Sequence, residues 1–323
     1  MEDLTREIVR LAEERFQQNG HLDIFDTRNI TRFSSIPDNW IEFCRENSVS
    51  IARLLGSGDT SRPLVRLMTE GMIRSIAAYN QFVEVTPPER GRLACLYENL
   101  VETARYLLSG GTTSRTLGRD TETMLADHFV SLRTFMETIG DSELLRTSGP
   151  LPCHQYSVVL QMKNLGIATG FLHEPILDLG CGRDGNLVRF LRRRGFDAFG
   201  IDRFAERSDY LTGADWLRVP ACGGRWGTII SHMSFSNHFM HHHLRRDGRF
   251  EEYARAYMRL LASLRPGGAF FYAPSLPFIE RALPRDRFEV ARREVTRAKP
   301  SGAGRGFEGF GLNTCATSVR RLA

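Results

Sequence analysis

The chain has 323 residues, 41% of them hydrophobic and 25% charged, a length and balance that suit two folded domains and exclude extensive disorder. Its net charge of +5 permits a polyanionic partner, yet only Lys163 and Lys299 among the 43 basic residues are lysines. The arginines are spread along the chain, as in a protein from a high-GC bacterial genome, and nucleic acid is not an expected partner.

The N-terminal MEDLTREIVRLAEERF is charged and amphipathic, unlike a signal peptide, and no run approaches the ~18 to 20 apolar residues of a membrane span, so a cytoplasmic protein is expected. Residues 1–150 then carry helical periodicity. Leu4, Ile8, Leu11 and Phe16 share one face, and Leu93, Leu96, Leu100, Ala104 and Leu107 another. The second of these helices has a legible start: Thr86 as N-cap, Pro87 and Pro88 in the first turn, Glu89 at the capping-box position, with Gly110-Gly111 at its end. Further helices are expected over about 39–55, 62–82 and 121–138.

Beyond an expected helix over Cys153–Lys163, short apolar runs alternate with amphipathic helices from residue 175: PILDLG, NLVRFLRRRG, DAFGID, WGTIIS, FEEYARAYMRLLASL and GGAFFYA. That alternation predicts a parallel sheet covered by helices on both faces. DRFEVARREVT and NTCATSVRRL, joined by a glycine-rich stretch, read as an antiparallel hairpin closing the sheet edge. The six cysteines (Cys44, Cys95, Cys153, Cys181, Cys222, Cys315) contain no C-x-x-C pair, which excludes a zinc or disulfide framework of the usual spacing.

The first strand feeds Gly180-x-Gly182-x-x-Gly185, a loop whose small residues let a ligand approach the backbone and the next helix's N-terminus. Asp202, ending the second strand, is placed to accept hydrogen bonds from ribose hydroxyls. Dinucleotides and other adenosine ligands are level to this point. Asp178 separates them: an acid at the loop repels a pyrophosphate but suits a ligand carrying an ammonium and a sulfonium. Asp215 and Trp216, after a short third strand, offer an acceptor for an adenine amine and an aromatic face for its ring.

The D-x-G-x-G loop (Asp178, Gly180, Gly182), the strand-end Asp202, the Asp215-Trp216 pair and the turn Leu264-Arg-Pro-Gly-Gly268 together resemble the class I S-adenosylmethionine-dependent methyltransferases, over roughly residues 155–323. The resemblance implies a Rossmann-like domain over 151–323, with a mostly parallel seven-stranded sheet and a C-terminal antiparallel hairpin; the helical periodicity before it is read as an all-α domain over 1–150. It implies S-adenosylmethionine as cofactor, with Gly180 and Gly182 near its methionine part, Asp202 at the ribose, Asp215 at the adenine amine, and Trp216 or Arg203 beside the ring. Asp178 and Ser231 complete the expected cofactor contacts. The family often has a third glycine where this chain has Asp184, with Gly185 one step late, which implies an altered loop near the carboxylate.

The segment after the fourth strand should face the transferable methyl group, and five of the nine histidines fall between His232 and His243. A base is needed only where the acceptor must lose a proton, and histidine suits that task. His232, Asn237 and His238 are the expected catalytic or substrate contacts, joined by Tyr156 from the helix before the first strand. His238 and His242 stand at metal-ligand spacing, but no third ligand is evident and no metal is expected. The expected function is methyl transfer to a small-molecule acceptor in bacterial natural-product metabolism, with oxygen, nitrogen and carbon acceptors all open. The alternatives are an RNA or protein methyltransferase and a catalytically silent cofactor-binding protein. The helical half would cap the substrate pocket, form a homodimer, or both.

Overall fold

The computed structural model describes residues 2–19, 24–110, 113–148, 156–218, 224–295 and 315–323; Gly111, Cys153, Cys222 and the glycine-rich stretch before the last strand lie outside the described residues. The chain divides into two compact units, Met1–Cys153 and His154–Ala323.

The first unit is helical: α1 (Glu2–Asn19), α2 (Ile30–Ser34), α3 (Asp38–Glu46), α4 (Ser48–Gly56), α5 (Gly58–Tyr79), α6 (Pro87–Ser109), α7 (Ser114–Thr138) and α8 (Ser142–Ser148). Its core joins Ile51, Leu64, Met68, Leu93, Tyr97, Leu132 and Phe135. The start of α6 follows its sequence signature. Glu89 Oε2 accepts the Thr86 N–H at 2.7 Å, satisfying a donor that the helix start leaves without a partner, while Oε1 accepts the Gly140 N–H at 2.6 Å and ties the start of α6 to the turn after α7. The single helix expected over 39–55 is two. The Asn47 amide donates to the Phe43 carbonyl at 2.9 Å, a local bond that competes with continued helix, and α3 ends there.

The second unit opens with α9 (Val158–Leu165), capped by Ser157, whose hydroxyl accepts the Leu160 N–H, and closed by Gly166 at φ +68. It continues β1 (Ile176–Leu179), α10 (Asn186–Arg193), β2 (Ala198–Asp202), β3 (Leu211–Gly213), β4 (Trp226–His232), α11 (Phe235–Leu244), α12 (Phe250–Ser263), β5 (Leu264–Ala273), α13 (Pro277–Glu280), β6 (Phe288–Glu294) and β7 (Cys315–Arg321). The seven strands form one sheet in the order β3-β2-β1-β4-β5-β7-β6. β3, β2, β1, β4 and β5 pair in parallel, and β7 pairs antiparallel with both β5 and β6.

Every residue of β1 and β4 is buried, which is why both strands are mostly apolar on the two faces, with Asp178, Thr228, Ser231 and His232 as the exceptions. Two cores cover the sheet. One gathers Phe235, Phe239, Tyr253, Tyr257 and Phe270, the other Ile176, Leu187, Leu191, Leu211 and Ile230. The expected turn Leu264-Arg-Pro-Gly-Gly268 lies within β5 as an irregularity: Leu264 pairs with Trp226, and regular pairing resumes at Ala269 opposite Thr228. Among the described residues no helix is long and apolar enough to cross a membrane.

Candidate functional site

The site forms where the parallel strands end, because β1 and β4 are neighbours whose following loops leave the sheet on one edge. The β1 loop has three glycines at positive φ: Gly180 (+83), Gly182 (+73) and Gly185 (+58). A Cβ on Gly180 would lie 2.3 Å from the Ser234 Cβ and 3.2 Å from the Trp216 ring, so both backbone and space demand glycine. Gly185 caps α10 in the left-handed conformation, and a Cβ there would strike Leu211 at 2.6 Å. The glycine standing one step late in sequence is thus the N-cap of the helix that follows the loop.

Asp178 is 2% exposed, and its Oδ2 has no hydrogen-bond partner. Burial, then the neighbouring Asp202, pushes its carboxyl up to about 7. Asp202 is also raised by burial, although its carboxylate accepts the Gly182 N–H at 3.2 Å and the Phe204 N–H at 2.8 Å. Two carboxyls therefore share a desolvated loop in which one oxygen lacks any donor, an arrangement that a cation would relieve. The site fits a ligand with positive charge near β1 and hydroxyls near β2.

Asp215 is half-buried and accepts the Leu217 N–H at 2.9 Å, leaving its second oxygen available to a ligand. Trp216 is buried beside the loop, its ring edge to face with His238 at 5.1 Å and with Phe235 at 6.5 Å. Arg203 is exposed, with its guanidinium 4.9 Å from the centre of the Phe204 ring.

Ser231, expected as a cofactor contact, is fully buried and occupied within the chain. Its Oγ is 2.7 Å from the Ser234 Oγ and accepts the Phe235 N–H at 3.2 Å, and Ser234 in turn donates to the Leu179 carbonyl at 2.7 Å. This relay straps the β4 turn onto the end of β1. Its physical cause is the turn itself: Met233 has φ +54, a costly conformation for a side-chain-bearing residue, and the relay and the Met233 N–H bond to Ala273 hold it.

His232 ends β4 and is 7% exposed. The Asn164 amide nitrogen lies 3.0 Å from its Nε2, so Nε2 accepts, the ring proton sits on Nδ1, and Nδ1 is buried without a partner. The Tyr156 ring meets the imidazole edge to face at 4.7 Å. Burial lowers His232 to about 4, which keeps it neutral at pH 7. The ring is thus fixed at Nε2 by Asn164 and kept neutral by burial. Asn164 and Ser234 were not among the expected site residues: nothing in the helix sequence marks Asn164, whereas the Ser231-x-x-Ser234 spacing at a strand end was a usable sign of a side-chain-bonded turn.

His238 is buried on the first turns of α11 and held well below its ordinary range, by burial and then by Arg203. The Asn237 amide donates to the Met233 carbonyl at 3.0 Å. The rest of the histidine run is engaged in ring contacts: His242 stacks on Tyr253 at 4.8 Å and His243 on Phe278 at 3.7 Å. Among the described residues no three His, Cys, Asp or Glu side chains are grouped to hold a metal ion.

No protein-family model matches the chain, and no curated protein matches it. Among solved structures it is similar to the plantazolicin methyltransferase BpumL in complex with SAH, at 13% identity and a TM-score of 0.35, covering 58% of this chain and 93% of that one. It is also similar to the glycopeptide N-methyltransferase MtfA complexed with (S)-adenosyl-L-homocysteine, at 15% identity and a TM-score of 0.33, covering 57% and 98%. The CurJ carbon methyltransferase aligns over 100% of this chain and 93% of its own, at 11% identity and a TM-score of 0.28. The strand order itself identifies the fold, with five parallel strands, a glycine loop after the central β1 and β7 antiparallel between β5 and β6. On that strand order the second unit has the Rossmann-like fold of the class I S-adenosylmethionine-dependent methyltransferases.

Proposed function

We propose that the protein is an S-adenosylmethionine-dependent methyltransferase acting on a small-molecule acceptor. The observation that carries this reading is the buried Asp178 carboxyl, beside Asp202, with one oxygen lacking a donor. S-adenosylmethionine has both complements, an ammonium and a sulfonium for the acids and ribose hydroxyls for Asp202, whereas a dinucleotide would bring phosphates to a loop that already carries two carboxyls. When bound, it supplies a methyl group on sulfur for in-line displacement by a nucleophile of the acceptor.

The chain's own contribution is positioning. Gly180 and Gly182 keep the loop low enough for backbone approach, Asp202 takes the ribose, and Asp215 takes the adenine amine, with Trp216 walling the loop between them and Arg203 at its rim. Ser231 acts through the turn that it bonds. His232, kept neutral by burial and held at Nε2 by Asn164, forms a fixed wall beside the place of the acceptor, and Tyr156 packs against the ring to fix its plane. Asn237 and His238 line the same turn as specificity residues. With both histidines held neutral well below their ordinary range, the site favours an acceptor that needs little help losing a proton.

A small acceptor is favoured over RNA because many of the arginines are already neutralised by acids one turn away: Arg10 by Glu7 and Glu14, Arg45 by Glu42, Arg105 by Glu102, Arg133 by Glu137. We assign it to bacterial natural-product metabolism in the cytoplasm, with the helical unit as substrate cap or dimerisation domain. The test is calorimetric titration with S-adenosylhomocysteine, beside NADH and beside Asp202→Ala. Saturable binding of S-adenosylhomocysteine that Asp202→Ala weakens, with no NADH heat, supports the assignment; NADH binding, or no binding of either, overturns it.

A further inference from the structure

The first unit contains a partly open apolar pocket of about 250 Å³ between α1 and the helices α3 to α7, with walls that include Ile8, Trp40, Leu55, Met68 and Leu108. Close-packed interiors hold few voids larger than a water molecule, because lining atoms without a neighbour forfeit their dispersion contacts. For scale, an engineered apolar void of about 150 Å³ stays dry and takes up benzene. Water gains little here, since the lining is almost wholly apolar, and a space of this size is suited to a hydrocarbon chain.

One lining residue carries charge, Arg15 of α1. Its guanidinium is half-buried and donates to the Phe33 carbonyl, and among the described residues no carboxylate pairs with it. Arginine cannot shed its proton under such conditions, so burial leaves a cation short of a counter-ion. Among the described residues desolvation is the cause that shifts it, and no acidic neighbour opposes.

We propose that this cavity binds an amphipathic carboxylic acid, its apolar chain in the void and its carboxylate on Arg15. The site is independent of the methyl-donor reading, which concerns the other unit.

The test is calorimetric titration of the full chain with decanoate, decanol and decylammonium, each below its aggregation limit. One molecule of decanoate per chain is expected, at least ~10-fold tighter than decanol, with decylammonium unbound, since a charge-assisted hydrogen bond is about twice as strong as a neutral one. Arg15→Leu should weaken decanoate by ~10-fold, to the level of decanol, and Ala104→Leu, which fills the void, should weaken both. If Arg15→Leu does not fold, the ranking of the three ligands on the unaltered chain decides. Equal affinity for acid and alcohol, decanoate binding indifferent to Arg15→Leu, or no saturable binding overturns the proposal.

Discussion

Replacing Asp178 with asparagine should make the ligand-free protein more stable at alkaline pH and a poorer binder of its cofactor. The buried carboxyl has its folded pKa raised from an ordinary 3.8 to about 7, so the folded state holds a proton that the unfolded state has released across that window. Stability therefore falls as pH rises from about 4 to 7, and the whole cost is present above it. At ~1.4 kcal/mol per pH unit, the interval amounts to about 4 kcal/mol. Asparagine has nearly the same shape and does not titrate. Asp178→Asn should match the parent near pH 4.5 and exceed it by several kcal/mol at pH 8. The assay is urea unfolding followed by fluorescence in a Trp40→Phe background, where the remaining Trp216 and Trp226 both report on the second unit. With S-adenosylmethionine added the order should reverse, because its positive groups stabilise the carboxylate and give the amide nothing. Equal pH dependence in both proteins would refute the buried, uncompensated carboxyl, and equal cofactor affinity would refute its role.

Three other substitutions test the frame around that acid. Gly180→Ala forces a side chain into φ +83 and against Ser234, which should cost ~1–3 kcal/mol and abolish S-adenosylhomocysteine binding; an unchanged Tm and Kd would show that the turn yields freely. Glu280→Leu strands the groups bonded to that buried carboxylate, namely the Tyr272 and Thr317 hydroxyls, the Leu276 N–H and Arg292. A loss of ~3–5 kcal/mol in urea unfolding is expected, and a loss below ~1 kcal/mol would mean that these groups find other partners. Asn164→Asp turns a donor to His232 Nε2 into an acceptor, so the ring proton should move to Nε2 and the imidazole pKa should rise. Imidazole ¹⁵N shifts read both changes, and an unaltered tautomer would remove Asn164 from the site.

Local chemistry and the mostly parallel sheet with its antiparallel end were legible, whereas side-chain pairings between distant residues were not. The Thr86/Glu89 start of α6 and the strand at Ile176–Leu179 each depend on residues within a few positions, and the sequence displays them; that Gly185 caps α10 came only from the structure. The break at Asn47 depends on which of two local hydrogen bonds the amide prefers, and apolar periodicity carries straight through it. Arg265–Gly268 reads as a turn from Pro-Gly-Gly alone. Only the pairing of Leu264 with Trp226 draws it inside a strand. Glu280 was invisible as a core acid because its partners come from Tyr272, Arg292 and Thr317, up to 37 residues away.

The same division explains the two titratable groups of the site. Asp178 announced itself because an acid on an apolar strand before a glycine loop is a local contradiction, and the structure turns that contradiction into a buried oxygen without a donor. His232 is less legible, because a histidine at a strand end invites its ordinary pKa, whereas burial moves it. Its actual character is set by Asn164, 68 residues earlier in the chain, and by burial that holds it near 4. A base must be able to take up a proton in the transition state, and a buried ring held near 4 resists one, so the contacts of Asn164 and Tyr156 favour a positioning part for His232 in the methyl transfer proposed above.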